Sequence, residues 1–275
     1  MSFALENITP VIGAEAHGID LSRLDEEMSD WLRIALADRK VLVFRNQTLG
    51  REAHKRAARI FGTGVLHVHH LVRGRFDDDE VVPVHHDAQS TFNIGEGWHS
   101  DASCDPDPIA ASLLYMRHMP ESGGGDTVFS DMHECWRRLS DPVKSLVSEL
   151  TARHDGGKGY GEDYGIAADI TGHAYNQTDH PIVIDHPVTG AKTLFVNTGF
   201  TTRINHLSAH ESRSILDMVF RHIEQTTTAQ IRVRWAPDTL VMWDNVATQH
   251  QGVWDYFPET RLAERVSVIG PKLSA

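Results

Sequence analysis

Gly97-Trp98-His99-Ser100-Asp101 is the stretch on which the reading of this chain turns. A histidine and a carboxylate two positions apart fall on one face of an extended segment, where both can grip one metal ion. Far downstream, Leu240-Val241-Met242-Trp243-Asp244-Asn245 reads as a strand entering a turn, with His250 beyond it. Two imidazoles and one carboxylate on one side of a divalent metal leave the other side open, which suits non-haem Fe(II) enzymes that activate oxygen. The H-x-D spacing alone is weak. With 18 histidines in 275 residues, surface histidines sharing no role are the bland alternative.

The context of His250 adds weight. Arg261 and Arg265 lie in Thr260-Arg261-Leu262-Ala263-Glu264-Arg265-Val266-Ser267-Val268, whose alternation predicts a strand with both guanidinium groups on one face. A planar, permanently charged fork holds a carboxylate through two parallel hydrogen bonds, as a dicarboxylic co-substrate beside the metal would require. The alternative is a solvated face with Glu259 and Glu264 as ion-pair partners. Ser122-Gly123-Gly124-Gly125-Asp126-Thr127-Val128-Phe129 places a glycine turn before a short strand. Thr127 there offers a hydroxyl as a second contact to the same carboxylate. The run lacks the lysine and the Ser or Thr of a phosphate loop.

Further motifs run in order along the chain: Ile12-Gly13-Ala14-Glu15, Val41-Leu42-Val43-Phe44-Arg45-Asn46-Gln47, Phe61-Gly62, Trp98-His99-Ser100-Asp101, Gly124-Gly125-Asp126-Thr127, His186-Pro187-Val188-Thr189-Gly190, Gly199-Phe200-Thr201-Thr202-Arg203, and Trp243-Asp244-Asn245 with Gln249-His250. Together they closely resemble the TauD/TfdA family of Fe(II)- and 2-oxoglutarate-dependent dioxygenases. The resemblance implies that His99, Asp101 and His250 hold iron, and that Thr127 and Arg261 anchor the distal carboxylate of 2-oxoglutarate. Arg265 would face the primary substrate or the carboxylate nearer the metal. In taurine-type members a histidine shortly after the Phe-Gly pair contacts the substrate's acidic group; His69 matches it best, with His67 and His70 as alternatives. Gly95 stands where the taurine enzyme carries a polar residue, which counts against taurine itself. Phe200 is read as an apolar wall of the substrate pocket or, equally, as a core residue.

The implied cofactors are Fe(II), the co-substrate 2-oxoglutarate, and O2. The implied reaction hydroxylates an unactivated C–H of a small anionic substrate, a carboxylate or sulfonate, and releases succinate and CO2. Two rivals stand beside it: a biosynthetic oxygenase of the same family giving a desaturated or rearranged product, and a non-catalytic, cupin-like metal-binding protein. The latter would have no use for Thr127, Arg261 and Arg265. The resemblance also carries the expectation of a homo-oligomer, a dimer or tetramer.

Several short strands, with two ligands early and one late, predict a mainly β chain with flanking helices: a double-stranded β-helix, or distorted jelly roll, of cupin type. With 40% hydrophobic residues, 1–275 is expected to form one domain. Helices are expected over 26–37, 51–60 and 207–224, and over 131–150 with a break near Ser140-Asp141-Pro142 and Ser130 as its cap. Residues 70–97 read as a strand pair with long loops, and 155–178 as a glycine-rich segment; both are candidate lids, with Tyr160 or Tyr164 touching substrate. The neighbours His85 and His86 point to opposite faces of a strand, which favours a surface or pocket-rim role over a second metal.

A net charge of −12 opposes nucleic acid and anionic membranes and leaves a small-molecule substrate as the expected partner. No apolar run approaches the roughly eighteen residues of a membrane span, and the opening residues lack a secretion signal, so the expected location is cytoplasmic. The two cysteines, Cys104 and Cys135, fit a reducing compartment. Cys104 either lines the iron site or packs as a small buried hydrophobe.

Overall fold

One seven-stranded sheet runs in the order Ala4–Asn7, Ala14–His17, Val41–Phe44, Leu240–Asp244, Ile109–His118, Arg261–Ile269, Val82–His86, with β-branched and aromatic residues concentrated in Val41–Phe44 and Leu240–Asp244 at its centre. The chain is described by a computed structural model over residues 3–69, 77–93, 95–162 and 174–275. Every pairing in the sheet is antiparallel except that of Ala14–His17 with Val41–Phe44. The central strands are buried on both sides, which is why Val41-Leu42-Val43-Phe44 is apolar without alternation. Leu42, Phe44, Leu113 and Met242 pack outward against helices Glu26–Arg39 and Arg51–Arg59. Val41, Val43, Leu114, Met116 and Trp243 pack inward against Phe129, Ile231 and Val233 of a second sheet.

That second sheet has the order Gln230–Val233, Thr127–Asp131, Thr248–Gly252. The two sheets face each other as a jelly roll with helices over the outer face of the larger one, a mainly β fold as expected. Helix Ala209–Gln225 starts at a capping box between Ser208 and Glu211 and packs Leu216, Val219 and Ile223 into a separate core beneath a third sheet, Thr201–Ile204, Thr151–Asp155, Gln177–Pro181. Among the described residues no helix is long and apolar enough to cross a membrane.

Two local expectations are corrected, and a third falls partly outside the described residues. The helix after Thr127–Asp131 is capped by Asp131, not Ser130: its carboxylate accepts from the amides of His133 and Glu134, while Ser130 Oγ lies 3.6 Å from Cys135 Sγ. A carboxylate has lone pairs for two amides at once, and a buried hydroxyl beside a thiol does not reach them. Of the strand pair expected over 70–97, the described residues show one strand, Val82–His86, which pairs with Arg261–Ile269 because its apolar face completes the edge of the main sheet. Residues Gly157–Glu162 form a short π-helical turn instead of open loop. His70, Tyr164 and much of both candidate lids lie outside the described residues.

Candidate metal and co-substrate site

His99 and His250 face each other as an isolated antiparallel bridge, His99 N donating to His250 O at 3.0 Å and His250 N to His99 O at 2.8 Å. This places two side chains from opposite ends of the chain side by side, their ring centroids 4.2 Å apart. His99 Nδ1 donates to Gly97 O at 2.9 Å, which leaves the Nε2 lone pair free for a metal. His250 Nδ1 has no hydrogen-bond partner among the described residues, and the ring is oriented by packing: Phe129 stacks on it at 5.8 Å and Trp243 lies at 4.8 Å.

Asp101 does not continue an extended segment, which corrects the sequence expectation. It opens a turn at whose next residue, Ala102, φ reaches +46°. The turn is held by Asn245, whose Oδ1 accepts from Asp101 N at 2.8 Å while Nδ2 donates to the carbonyls of Asp101 and Ile109, both at 3.1 Å. Asn245 is placed in turn by Asp244, whose carboxylate takes the amides of Val246 and Ala247 and pairs with His186 Nε2 at 2.9 Å. Ser112 Oγ donates to Asp101 Oδ2 at 2.8 Å, and Oδ1 lies 3.8 Å from His99 Nε2 and 3.9 Å from His250 Nε2.

One donor atom from each of His99, Asp101 and His250 lies within 4.8 Å of the others, the only such group of three His, Cys, Asp or Glu among the described residues. Burial lowers the pKa of His99, and burial and then His99 lower that of His250 well below the ordinary value, so both rings are neutral. Burial by itself would raise the Asp101 carboxyl, but Arg265, His250, His99 and Ser112 outweigh it and hold it well below the usual carboxylate range. Two neutral imidazoles and an ionised carboxylate are the donor set that a divalent iron takes. The residues present therefore fit the metal.

Arg265 reaches this carboxylate directly, its Nη1 donating to Asp101 Oδ1. Arg261, four residues earlier on the same strand, is 6% exposed and has no ion pair among the described residues. Its Nε donates to Gly125 O at 3.1 Å and its guanidinium lies 5.6 Å over the Trp235 ring. Trp235 Nε1 also donates to Thr127 Oγ1 at 3.0 Å, so threonine and arginine share one wall. The glycine run now has a physical reason: a Cβ at Gly125, where φ is +67°, would lie 2.8 Å from Arg261 Cδ, and one at Gly124 would lie 2.5 Å from Asp255 Oδ1. Glu264 and Glu259 are not the partners of these arginines. Glu264 is held by Arg51 and Arg117 on the opposite face, and Glu259 accepts from Ser122 N.

On the other flank, Phe200 is buried with Cys104, Tyr160 and Tyr175. A Cβ at Gly199 would lie 3.0 Å from His99 Cβ, so the loop carrying Phe200 rests on the first histidine. Tyr160 centres this wall, 5.2 Å from Phe200 and 5.2 Å from His69. His67 Nε2 lies 2.8 Å from Asp105 Oδ2, and its ring stands edge-on to that of His69 at 6.0 Å. A Cβ at Gly95 would lie 3.5 Å from His99 Cε1, so the glycine leaves space at the metal-facing edge of that ring. Sequence reasoning missed Asn245, Ser112 and Trp235 as parts of the site. Asn245 stood in a quoted motif, whereas nothing local marks a tryptophan that reaches Thr127 from another strand.

Among the described residues, a cluster of two histidines and one aspartate thus stands in a jelly roll whose Arg265 reaches the aspartate and whose Arg261, four positions earlier on that strand, is buried without an ion pair, a donor set that suits a divalent metal and an anion. The chain belongs to the taurine catabolism dioxygenase TauD, TfdA family, whose model matches residues 4–267. It is 33% identical over 266 residues to an alpha-ketoglutarate-dependent sulfonate dioxygenase of Saccharomyces cerevisiae, covering 92% of this chain and 63% of that protein. An alpha-ketoglutarate-dependent sulfate ester dioxygenase of Pseudomonas putida is 29% identical, over 94% of this chain and 87% of its own length. A taurine dioxygenase structure from Burkholderia xenovorans superposes with a TM-score of 0.85 at 28% identity, over 100% of this chain and 92% of that one.

Proposed function

We propose that this protein is an Fe(II)- and 2-oxoglutarate-dependent dioxygenase that hydroxylates an unactivated C–H of a small anionic substrate, a carboxylate or sulfonate, releasing succinate and CO2. The observation that carries the reading is the His99, Asp101 and His250 cluster together with a buried Arg261 that has no ion pair among the described residues and shares the Trp235 wall with Thr127. A metal-binding protein without turnover has no use for a second, anion-seeking pair of side chains at that place. In this reading His99, Asp101 and His250 bind the iron, and Arg261 and Thr127 hold the distal carboxylate of 2-oxoglutarate. Bound iron supplies the oxygen activation and oxidising power that no side chain has. Arg265 faces the substrate's acidic group with His69, and Phe200, Tyr160 and Tyr175 exclude water from the reacting carbon.

The sulfonate and sulfate ester named for the yeast and Pseudomonas relatives support an anionic substrate. Gly95, which leaves room beside His99, favours a substrate other than taurine. Residues 1–275 are proposed to act as one domain, as a homo-oligomer in the cytoplasm, where the buried free thiols of Cys104 and Cys135 stay reduced. The test is a screen of alkyl sulfonates, sulfate esters and carboxylates for succinate release under Fe(II) and ascorbate, with product mass read in parallel. A gain of one oxygen, or cleavage products derived from it, is the expected result. No succinate with or without any acid would remove the reading.

A further inference from the structure

One wall of the Arg261 pocket holds a histidine that the assigned contacts do not use. In the pairing of Val82–His86 with Arg261–Ile269, His86 lies directly opposite Arg261, so both side chains share a face with their Cβ atoms about 5 Å apart. His85 points outward with its side chain 49% exposed, whereas His86 is 4% exposed. The rings of Trp254 and Tyr256 stand 6.4 and 6.5 Å from it. Tyr256 in turn borders the glycine under Arg261, since a Cβ at Gly125 would lie 3.2 Å from Tyr256 Cδ1.

His86 Nδ1 is buried and has no hydrogen-bond partner among the described residues. Native folds pair nearly all such atoms, so this one calls for a partner that the described residues do not supply, and its place opposite Arg261 puts that partner where an anion would bind. Burial, and then the Arg261 charge, push the imidazole down to about 4, so the ring is neutral and carries one N–H donor. A neutral donor beside a guanidinium that has no ion pair among the described residues offers an anion a second kind of contact.

We propose that His86 is a third polar contact for the distal carboxylate of the co-substrate, beside Arg261 and Thr127, and that it selects a dicarboxylic over a monocarboxylic 2-oxo acid. The inference rests on the dioxygenase reading of the site. Its test is isothermal titration calorimetry on the Fe(II)-loaded protein under nitrogen, with 2-oxoglutarate and with 2-oxobutyrate, which has the same 2-oxo acid end and no distal carboxylate. His86→Phe should weaken 2-oxoglutarate about tenfold or more, the size of one hydrogen bond to a charged group, and leave 2-oxobutyrate unchanged. His86→Asn, which keeps an N–H donor, should recover part of the loss, and His86→Leu repeats the measurement if the phenylalanine variant does not fold. Equal losses for both acids, or none for 2-oxoglutarate, would overturn the role of His86 while leaving the dioxygenase reading intact. A wild-type protein that binds neither acid would overturn that reading and this one together.

Discussion

Asn245 grips the backbone of Asp101 at both ends, accepting from its amide at 2.8 Å and donating to its carbonyl at 3.1 Å. The residue that fixes the carboxylate of the candidate metal cluster thus lies 144 positions away, in the turn that also delivers His250. Asn245→Leu would strand one buried amide and two buried carbonyls, each costing about 1–3 kcal/mol. The expected outcome is a folded protein whose Fe(II) affinity falls roughly 10- to 100-fold, as for other groups that orient metal ligands. Fluorescence-detected metal titration checks it, and unchanged affinity would reassign the asparagine to stability alone.

His99→Ala and Asp101→Ala should each abolish succinate formation and metal binding, because each removes one of three donors within 4.8 Å. A chelator should do the same to the wild type, with recovery on adding Fe(II). Activity retained in both variants would refute the ligand assignment.

Arg261→Ala should chiefly raise the 2-oxoglutarate requirement, since it deletes a charge-assisted contact of about 1.5–3 kcal/mol. Gly125→Ala should act in the same direction, because the added methyl would lie 2.8 Å from Arg261 Cδ at a φ of +67°. That backbone conformation adds about 1–2 kcal/mol of strain for any residue but glycine. Steady-state KM for 2-oxoglutarate and a thermal melt separate the two effects; an unmoved KM in Arg261→Ala places the co-substrate elsewhere.

His54 is fully buried, its Nε2 3.0 Å from Leu113 O, and burial lowers its pKa from 6.5 to about 4. The folded state thus keeps the ring neutral where the unfolded state takes up a proton. Stability is therefore full above pH 6.5 and falls as the pH drops from 6.5 to about 4, by roughly 3 kcal/mol for this one group. His154, lowered to about 3 by burial and His180, adds to the same acid sensitivity. Urea denaturation across that range should give a shallower pH slope for His54→Gln, and a slope identical to wild type would show that His54 does not bear it.

Long-range order and local periodicity left different traces in the chain. The apolar run Val41-Leu42-Val43-Phe44, the helical spacing in 207–224 and the strand over 260–268 were legible because burial on one or both faces writes itself into neighbouring residues. The cap lies at Asp131, one residue beyond Ser130; the two are equally good caps in sequence, and only the packing of Ser130 against Cys135 decides between them.

By itself, the sequence determined the donor chemistry: two histidines, an aspartate, two arginines on one strand face and a glycine turn before Thr127, all of which are properties of side-chain type and spacing. Tertiary structure alone decided that His99 and His250 pair as one bridge, that Asp101 turns under Asn245, that Trp235 joins Thr127 to Arg261, and that His86 rather than His85 meets the arginine. The physical reason is strand register. It is set by the packing of two whole sheets against each other, and no local window of residues records which distant partner a strand will meet.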